Sequence, residues 1–210
     1  MIKEKRFLIF TIGLILFESL MYLLAKMTPF EPTLLTSVID EQLPLVESFV
    51  FFYVLWYLYL VLIPYLFYKL DQEKYFKYLA WTLLSIGIAF LIFFFFPTTI
   101  VRSEHQVTNN IFGLLLKAIY AIDTPILNCL PSMHCALCFI FMILIVKTKD
   151  LKNIYKIILN ITLVLIILST LLIKQHVIWD ALAAVILVLL SIFINHLWKL
   201  DLKIAKMFNK

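Results

Sequence analysis

The sequence predicts an all-α protein built as a bundle of six transmembrane helices, and two observations carry this prediction. Hydrophobic residues make up 64% of the 210 residues and charged residues only 15%, with a mean hydropathy of +1.02. Soluble domains have about 45–50% apolar and about 25% charged residues. The apolar residues also fall into runs long enough to cross a bilayer. The composition therefore excludes a soluble domain, a disordered chain and a nucleic-acid-binding protein.

A helix that crosses roughly 30 Å of hydrocarbon needs about 20 mostly apolar residues. Six segments approach this length, over residues 7–24, 45–65, 78–96, 131–146, 154–173 and 177–198. The fourth segment would be about 24 Å long at 1.5 Å per residue, so we expect its start to lie below the membrane surface. The chain is too short for a second sizeable domain, which predicts one domain over residues 1–210.

The basic residues predict the orientation of the bundle. Fourteen of the 18 Lys and Arg residues lie at the N-terminus, in the second and fourth connections and in the C-terminal tail. Cytoplasmic connections carry the excess of Lys and Arg, so we expect both termini in the cytoplasm of an integral protein of a bacterial plasma membrane. The longest outer connection, 97–130, contains an apolar stretch over 111–122, which predicts a short helix in the membrane interface.

Ionisable residues are concentrated at the predicted outer ends of the spans. His176 and Asp180 are four residues apart, so they share one helical face, where the carboxylate can orient the imidazole. His134 lies at the start of the fourth span, where a helix N-terminus attracts anions. Arg102 and Lys174 are the remaining bases near these segments. Together these groups suit an anionic phosphate on the outer face.

Three segments resemble the motifs of the type 2 phosphatidic acid phosphatase superfamily. Residues 96–102 (FPTTIVR) resemble its first motif, K-x6-R-P, and residues 131–134 (PSMH) resemble P-S-G-H. Residues 169–180 resemble S-R-x5-H-x3-D, with His176 and Asp180 in the last two defined positions. Four positions depart from the motifs: Phe95 for Lys, Ser103 for Pro, Met133 for Gly and Thr170 for Arg. This reduced set looks more like the branch that includes inositol phosphorylceramide and sphingomyelin synthases.

The resemblance implies a lipid phosphatase or phosphotransferase that acts on a phosphorylated lipid through a phosphohistidine at the outer membrane face. His176 would attack phosphorus, Asp180 would orient its ring, and His134 would transfer the proton. The phosphate charge would be stabilised by Arg102, Ser132 and Thr170. Lys174 belongs to no family motif, and we expect it to replace part of the missing phosphate-binding charge. The resemblance implies no metal and no other cofactor, and the expected partners are the lipid substrate and the membrane lipids.

Three other functional classes stay open on the sequence alone. His134, His176 and Asp180 could bind zinc in a membrane hydrolase, because two histidines and a carboxylate form a catalytic ligand set. Cys135 and Cys138 form a C-x-x-C pair, as in thiol oxidoreductases. A non-enzymatic membrane transporter or scaffold could also retain degenerate motifs.

Overall fold

The computed structural model describes residues 4–102 and 104–208, which are mostly helical with almost no sheet, and the all-α prediction is confirmed. The helices are α1 (Glu4–Ala25), α2 (Val38–Gln42), α3 (Val50–Leu70), α4 (Gln72–Phe95), α5 (Ile111–Ile122), α6 (Met133–Lys147), α7 (Asn153–Leu172), α8 (Ile178–Trp198) and α9 (Leu200–Phe208). Two strands of two residues each, β1 (Thr33–Leu34) and β2 (Thr98–Thr99), pair in parallel.

Five helices in the described chain are long and apolar enough to cross a membrane: α1, α3 with the turn before it (Glu47–Leu70), α4, α7 and α8. The protein is therefore an integral membrane protein. The remaining predicted span corresponds to α6, which has 15 residues and is about 22 Å long. The count of six spans stays a prediction.

Helix α6 lies at the centre of the bundle, where it packs against α4, α7 and α8. More than half of its residues are buried, among them Ala136, Ile140 and Leu144. A helix that is apolar on every side is typically enclosed by other helices, which explains why its sequence shows no polar face. The largest buried cluster joins α6 to residues from α1, α3, α4, α7, α8 and α9.

The first and last helices of the described chain meet at one end of the bundle. The Arg6 guanidinium donates a hydrogen bond to the carbonyl oxygen of Phe208, and the ring of Phe208 lies 4.1 Å from that of Phe10, centroid to centroid. Helix α9 was not among the sequence predictions. It follows α8 after Lys199, which adopts a left-handed conformation with φ 52° and so redirects the chain onto α4.

The opposite end of the bundle, where α6 and α8 begin, is built from the long connections. Strands β1 and β2 join the connection after α1 to the one after α4, with Thr33 opposite Thr98. Helix α5 covers the residues predicted for a short helix and packs against α3. The Tyr120 hydroxyl of α5 donates to the carbonyl oxygen of Ile173 over 2.5 Å. That α5 lies in the membrane interface stays a prediction.

Candidate active site

The connection between α7 and α8 places an imidazole beside a carboxylate. Nδ1 of His176 donates a hydrogen bond to Oδ2 of Asp180 over 3.0 Å, and the amide of Val177 donates to the same oxygen over 3.0 Å. The Asp180 side chain is fully buried and that of His176 is 10% exposed. Because a carboxylate only accepts, this bond keeps the proton on Nδ1 and leaves Nε2 as the basic nitrogen of His176.

A Schellman turn at the end of α7 positions His176. The amides of Lys174 and Gln175 donate back to carbonyl oxygens of the last turn of α7, the Gln175 amide to Thr170 over 2.9 Å. Lys174 has a φ of 56°, in the left-handed position where glycine is usual. The Thr170 carbonyl also accepts from the amide of His176 over 3.0 Å. Thr170 therefore holds the histidine through its backbone, while its hydroxyl donates within α7.

The start of α6 brings the second histidine to the first. Ser132 caps α6, because its Oγ accepts from the amide of Cys135 over 3.3 Å. The amide of Ser132 donates to the carbonyl oxygen of Asp180 over 3.1 Å, which ties the first turns of α6 and α8 together. The ring centroids of His134 and His176 consequently lie 5.6 Å apart.

Two aromatic residues of α3 pack against the His134 ring. Its centroid lies 4.1 Å from the ring of Trp56 and 4.8 Å from that of Tyr53. These contacts cover the His134 ring and hold its orientation.

A cavity of about 590 Å³ opens beside both imidazoles, within the range of small-molecule sites. Apolar side chains of α3 and α4, such as Leu60 and Phe93, line it together with polar side chains such as Asn128 and Gln175. The cavity therefore offers both apolar surface and polar groups to a ligand.

Unpartnered polar atoms gather around this cavity. In residues 4–102 and 104–208, eight buried side-chain nitrogen or oxygen atoms have no hydrogen-bond partner. Six belong to residues that line the cavity or contact its lining: Nε1 of Trp56, Nε of Arg102, Oδ1 of Asn128, Nε2 of His134, Nε2 of Gln175 and Oδ1 of Asp180. Buried polar groups are normally hydrogen-bonded, so this concentration indicates a place for a polar ligand.

Arg102 lies behind the cavity wall rather than on it. Its guanidinium forms an ion pair with Asp123 and donates to Oε1 of Gln175 over 2.7 Å, and it lies over the Tyr120 ring at 4.7 Å. Asp123 and Gln175 line the cavity. The positive charge of Arg102 therefore reaches the cavity largely through these two partners.

A comparison with protein-family models matches a part of the chain that includes all the site residues described above. The family model described as PAP2 superfamily matches residues 22–194, more than four fifths of the chain. The chain belongs to the PAP2 superfamily. No curated protein and no solved structure is significantly similar to it.

The PAP2 match contains all three motif-like segments, and the structure brings part of the predicted site set together. His134, His176 and Asp180 form one cluster beside the cavity. Ser132 and Thr170 adjoin this cluster, but their hydroxyls bond within their own helices. The structure therefore gives these two residues positional contacts, and their expected binding of phosphate stays a prediction.

Lys174 points away from the large cavity. Its Nζ donates to the carbonyl oxygens of Asp40 and Leu43, each over 2.6 Å, and it borders a separate cavity of about 240 Å³ that His176 also lines. Burial lowers the pKa of the Lys174 ammonium, and the charge of Asp40 opposes this shift. Lys174 thus anchors the connection after α1 rather than joining His134 and Asp180.

The geometry does not favour the zinc site or the thiol oxidoreductase that the sequence left open. Within the described ranges, no three His, Cys, Asp or Glu side chains are grouped so that they could hold a metal ion, and His176 and Asp180 bond to each other. Cys135 and Cys138 are free thiols, fully buried in α6. Neither pattern adds support for the zinc or the thiol hypothesis.

Several residues of the site were missed from the sequence. Asp123 ends the apolar stretch of α5, and a search for the counter-charge of a buried arginine would have found it. Gln175 carried no sequence signal beyond its place beside His176. Trp56 and Tyr53 belong to a long apolar run, in which nothing marks the residues that contact a histidine.

Proposed function

We propose that this PAP2 protein is a lipid phosphatase or phospho-headgroup transferase that works through a phosphohistidine on His176. The observation that carries the proposal is the 3.0 Å bond from Nδ1 of His176 to the buried Asp180 carboxylate, beside a cavity shared with His134. A carboxylate that holds Nδ1–H makes Nε2 a better nucleophile and stabilises the imidazolium that forms on attack.

In the first step, Nε2 of His176 attacks phosphorus and the bond to the leaving oxygen breaks. His134 gives its proton to that oxygen. The negative charge of the bound phosphate stabilises the protonated imidazole before transfer.

In the second step, His134 takes a proton from the acceptor, water or a lipid hydroxyl, whose oxygen attacks phosphorus. The bond between nitrogen and phosphorus then breaks, and His176 is regenerated. Charge on the phosphoryl oxygens is stabilised by the unpartnered Nε2 of Gln175, and Arg102 supports Gln175 from behind the cavity wall by donating to its Oε1. Lys174, Ser132 and Thr170 contribute by holding the loops and helix ends that carry the site.

We infer that the site faces the outer side of the membrane and that both termini are cytoplasmic. Fourteen of the 18 basic residues support this orientation. The contact between Arg6 and Phe208 supports an even number of crossings, because it brings the start of α1 and the end of α9 to one end of the bundle.

A trapping experiment tests the proposal. Purified protein in vesicles is mixed with lipids carrying ³²P in the headgroup phosphate, phosphatidic acid and phosphodiester lipids alike, and quenched within milliseconds. We expect labelled protein that is stable in base and labile in acid, as expected for a phosphorus–nitrogen bond to histidine. His176→Ala should give no label and no turnover while keeping its Tm. The matched control is His196→Ala, at the exposed far end of α8, which should label as the wild type does. Label retained in His176→Ala would overturn the proposal.

A further inference from the structure

Helix α8 begins directly after the turn that carries His176, and the residue at its N-cap offers no oxygen to the first amides of the helix. That residue is Val177, whose side chain is apolar. The Val177 amide donates to Oδ2 of Asp180 in the same helix. The next amide, that of Ile178, donates over 3.0 Å to Oδ1 of Asp40 in α2. A carboxylate 138 positions away in the chain therefore completes the cap of α8.

Asp40 also accepts a hydrogen bond from the other side of the proposed nucleophile. The ammonium of Lys174, two residues before His176, donates over 2.6 Å to the backbone carbonyl oxygen of Asp40 and over 2.6 Å to that of Leu43. Ile178, two residues after His176, donates to the Asp40 side chain. The turn that carries His176 thus has two anchor points, and both of them end on one residue of α2.

The Asp40 carboxylate is itself held in place. Its Oδ2 accepts from the amide of Ser37 over 2.9 Å and from the Ser37 hydroxyl over 2.5 Å. Asp40 is only 4% exposed, so water competes little for these bonds. Both carboxylate oxygens consequently have fixed partners, and the carboxylate cannot turn away from Ile178 without losing them.

The segment that contains α2 is fixed to the bundle at both ends. Before α2, the amide of Leu35 donates to the carbonyl oxygen of Thr99 over 2.9 Å, which extends the pairing of β1 with β2. After α2, the amide of Val46 donates over 2.9 Å to the carbonyl oxygen of Leu172, at the end of α7. Because α2 is tied down on both sides, its own position determines that of the turn it contacts.

Asp40 borders the smaller of the two cavities beside His176. It lines the cavity of about 240 Å³ together with His176, whereas the cavity of about 590 Å³ is lined by other residues. A substitution of Asp40 should therefore change the placement of the His176 ring and leave lipid binding in the large cavity intact.

We propose that Asp40 is a positioning residue for phosphoryl transfer, because it holds the turn that carries His176 from both sides. This inference rests on the proposed function and adds a residue from outside the three motif-like segments. Nε2 of His176 has to approach phosphorus in line with the bond that breaks, and a misplacement of about 1 Å can cost about 10²-fold in rate. Asp40 takes no part in the bond changes at phosphorus and acts only through the position of the attacking nitrogen.

The test separates phosphoryl transfer from lipid binding. Wild type and Asp40→Ala in vesicles are mixed with the ³²P-labelled phosphatidic acid and phosphodiester lipids of the trapping experiment, at a temperature at which both proteins are folded. The labelling rate and kcat should fall by at least about tenfold in Asp40→Ala, with KM within about threefold of the wild-type value. Asp40→Asn keeps an oxygen for the Ile178 amide and should recover kcat to within about threefold of the wild type.

A destabilised control distinguishes positioning from a general loss of stability. The Thr11 hydroxyl shares a buried hydrogen bond of 3.0 Å with the Tyr75 hydroxyl, between α1 and α4 in the half of the bundle away from the histidines. Thr11→Val removes this bond, so it should lower Tm and leave the labelling rate and KM unchanged.

Lys174→Met is a second test, because it removes the anchor before His176 and leaves the Asp40 carboxylate in place. It should also lower kcat with little change in KM. Since both residues act through α2, the loss of kcat in the double variant of Asp40→Ala and Lys174→Met should be smaller than the product of the two single losses.

A wild-type labelling rate in Asp40→Ala would overturn the positioning role, and so would an equal loss of rate in Thr11→Val. A rise in KM at unchanged kcat would also overturn it, because Asp40 would then act on substrate binding. If Asp40→Ala does not fold, an unchanged labelling rate in Lys174→Met would overturn the role instead. Failure of the proposed function looks different, because the wild type itself would then give no label with any of the lipids.

Discussion

The backbone amide of Ser132 donates a hydrogen bond of 3.1 Å to the carbonyl oxygen of Asp180. This bond joins the first turns of α6, which carries His134, and of α8, which begins two residues after His176. The distance between His134 and His176 is thereby fixed by main-chain atoms. Side-chain substitutions at this junction leave the main-chain bond in place, so they can test catalytic roles without disrupting the packing of the two helices.

Asp180→Asn should lower kcat by about 10²- to 10⁴-fold with little loss of stability. Asparagine keeps an oxygen that accepts from the Val177 amide, and the backbone bond to Ser132 is untouched. It no longer fixes the proton on Nδ1 of His176 as a carboxylate does. Phosphate or diacylglycerol release gives kcat, and thermal unfolding in detergent gives Tm. An unchanged kcat would remove Asp180 from the mechanism.

Ser132→Ala should lower the stability of the protein and leave its KM nearly unchanged. The hydroxyl caps α6 by accepting from Cys135, and loss of such a cap costs about 1 kcal/mol. We expect a lower Tm and a KM within about threefold of the wild-type value, with Ser132→Asn restoring most of the Tm as an alternative cap. A tenfold rise in KM at unchanged Tm would instead identify Ser132 as a phosphate ligand.

Asp123→Asn should destabilise the protein, because it leaves Arg102 without its counter-charge. The Arg102 side chain is 1% exposed and that of Asp123 is 25% exposed. Breaking a buried ion pair costs about 3–5 kcal/mol of unfolding free energy. Because Asp123 is partly exposed, we expect a loss at the lower end of this range, about 3 kcal/mol. A double-mutant cycle with Arg102→Met should give a coupling of at least about 1 kcal/mol.

The exposed pair of Lys69 and Glu4 is the control for that cycle. Its side chains are 43% and 66% exposed, so Lys69→Met and Glu4→Gln should couple by less than about 0.5 kcal/mol. Equal coupling in the two cycles would contradict a structural role for the Arg102 pair.

Asp40 predicts an acid dependence of stability. Burial alone would raise the pKa of this carboxyl, but hydrogen bonds from Ser37 and from the amide of Ile178 outweigh it and hold the pKa below 3.8. A lowered carboxyl pKa gives stability that is present above about pH 4 and is lost as the pH falls through the folded-state value. Tm should therefore drop on acidification below pH 4, and less steeply in Asp40→Asn and in Ser37→Ala. Parallel curves for all three proteins would exclude this contribution.

The sequence predicted those features that depend on residues close together in the chain. Apolar runs located the five long helices, and a single apolar stretch located α5 over Ile111–Ile122. The spacing of His176 and Asp180 predicted that they lie on one helical face; their side chains are hydrogen-bonded, but His176 lies in the connection just before α8. In each case the feature depends on residues close together in the chain.

Contacts between distant segments could not be predicted in the same way. Arg102 and Asp123 are separated by 21 positions and by α5, and nothing in either segment specifies their approach. Lys174 was expected near phosphate because of its charge, yet the Schellman turn directs it towards the backbone of α2. Helix α9 escaped prediction because it is only nine residues long and its packing against α4 is a contact between distant segments.

The enclosure of α6 has a consequence for how the protein responds to its lipid surroundings. Helices that face lipid adjust to hydrophobic mismatch by tilting or by deforming the bilayer. Helix α6 packs against α4, α7 and α8. Hydrophobic mismatch therefore acts on these neighbouring helices, which contact the lipid. Changes in bilayer thickness should therefore have little effect on the helix that carries His134. We expect the same turnover in vesicles of short-chain and of long-chain lipids.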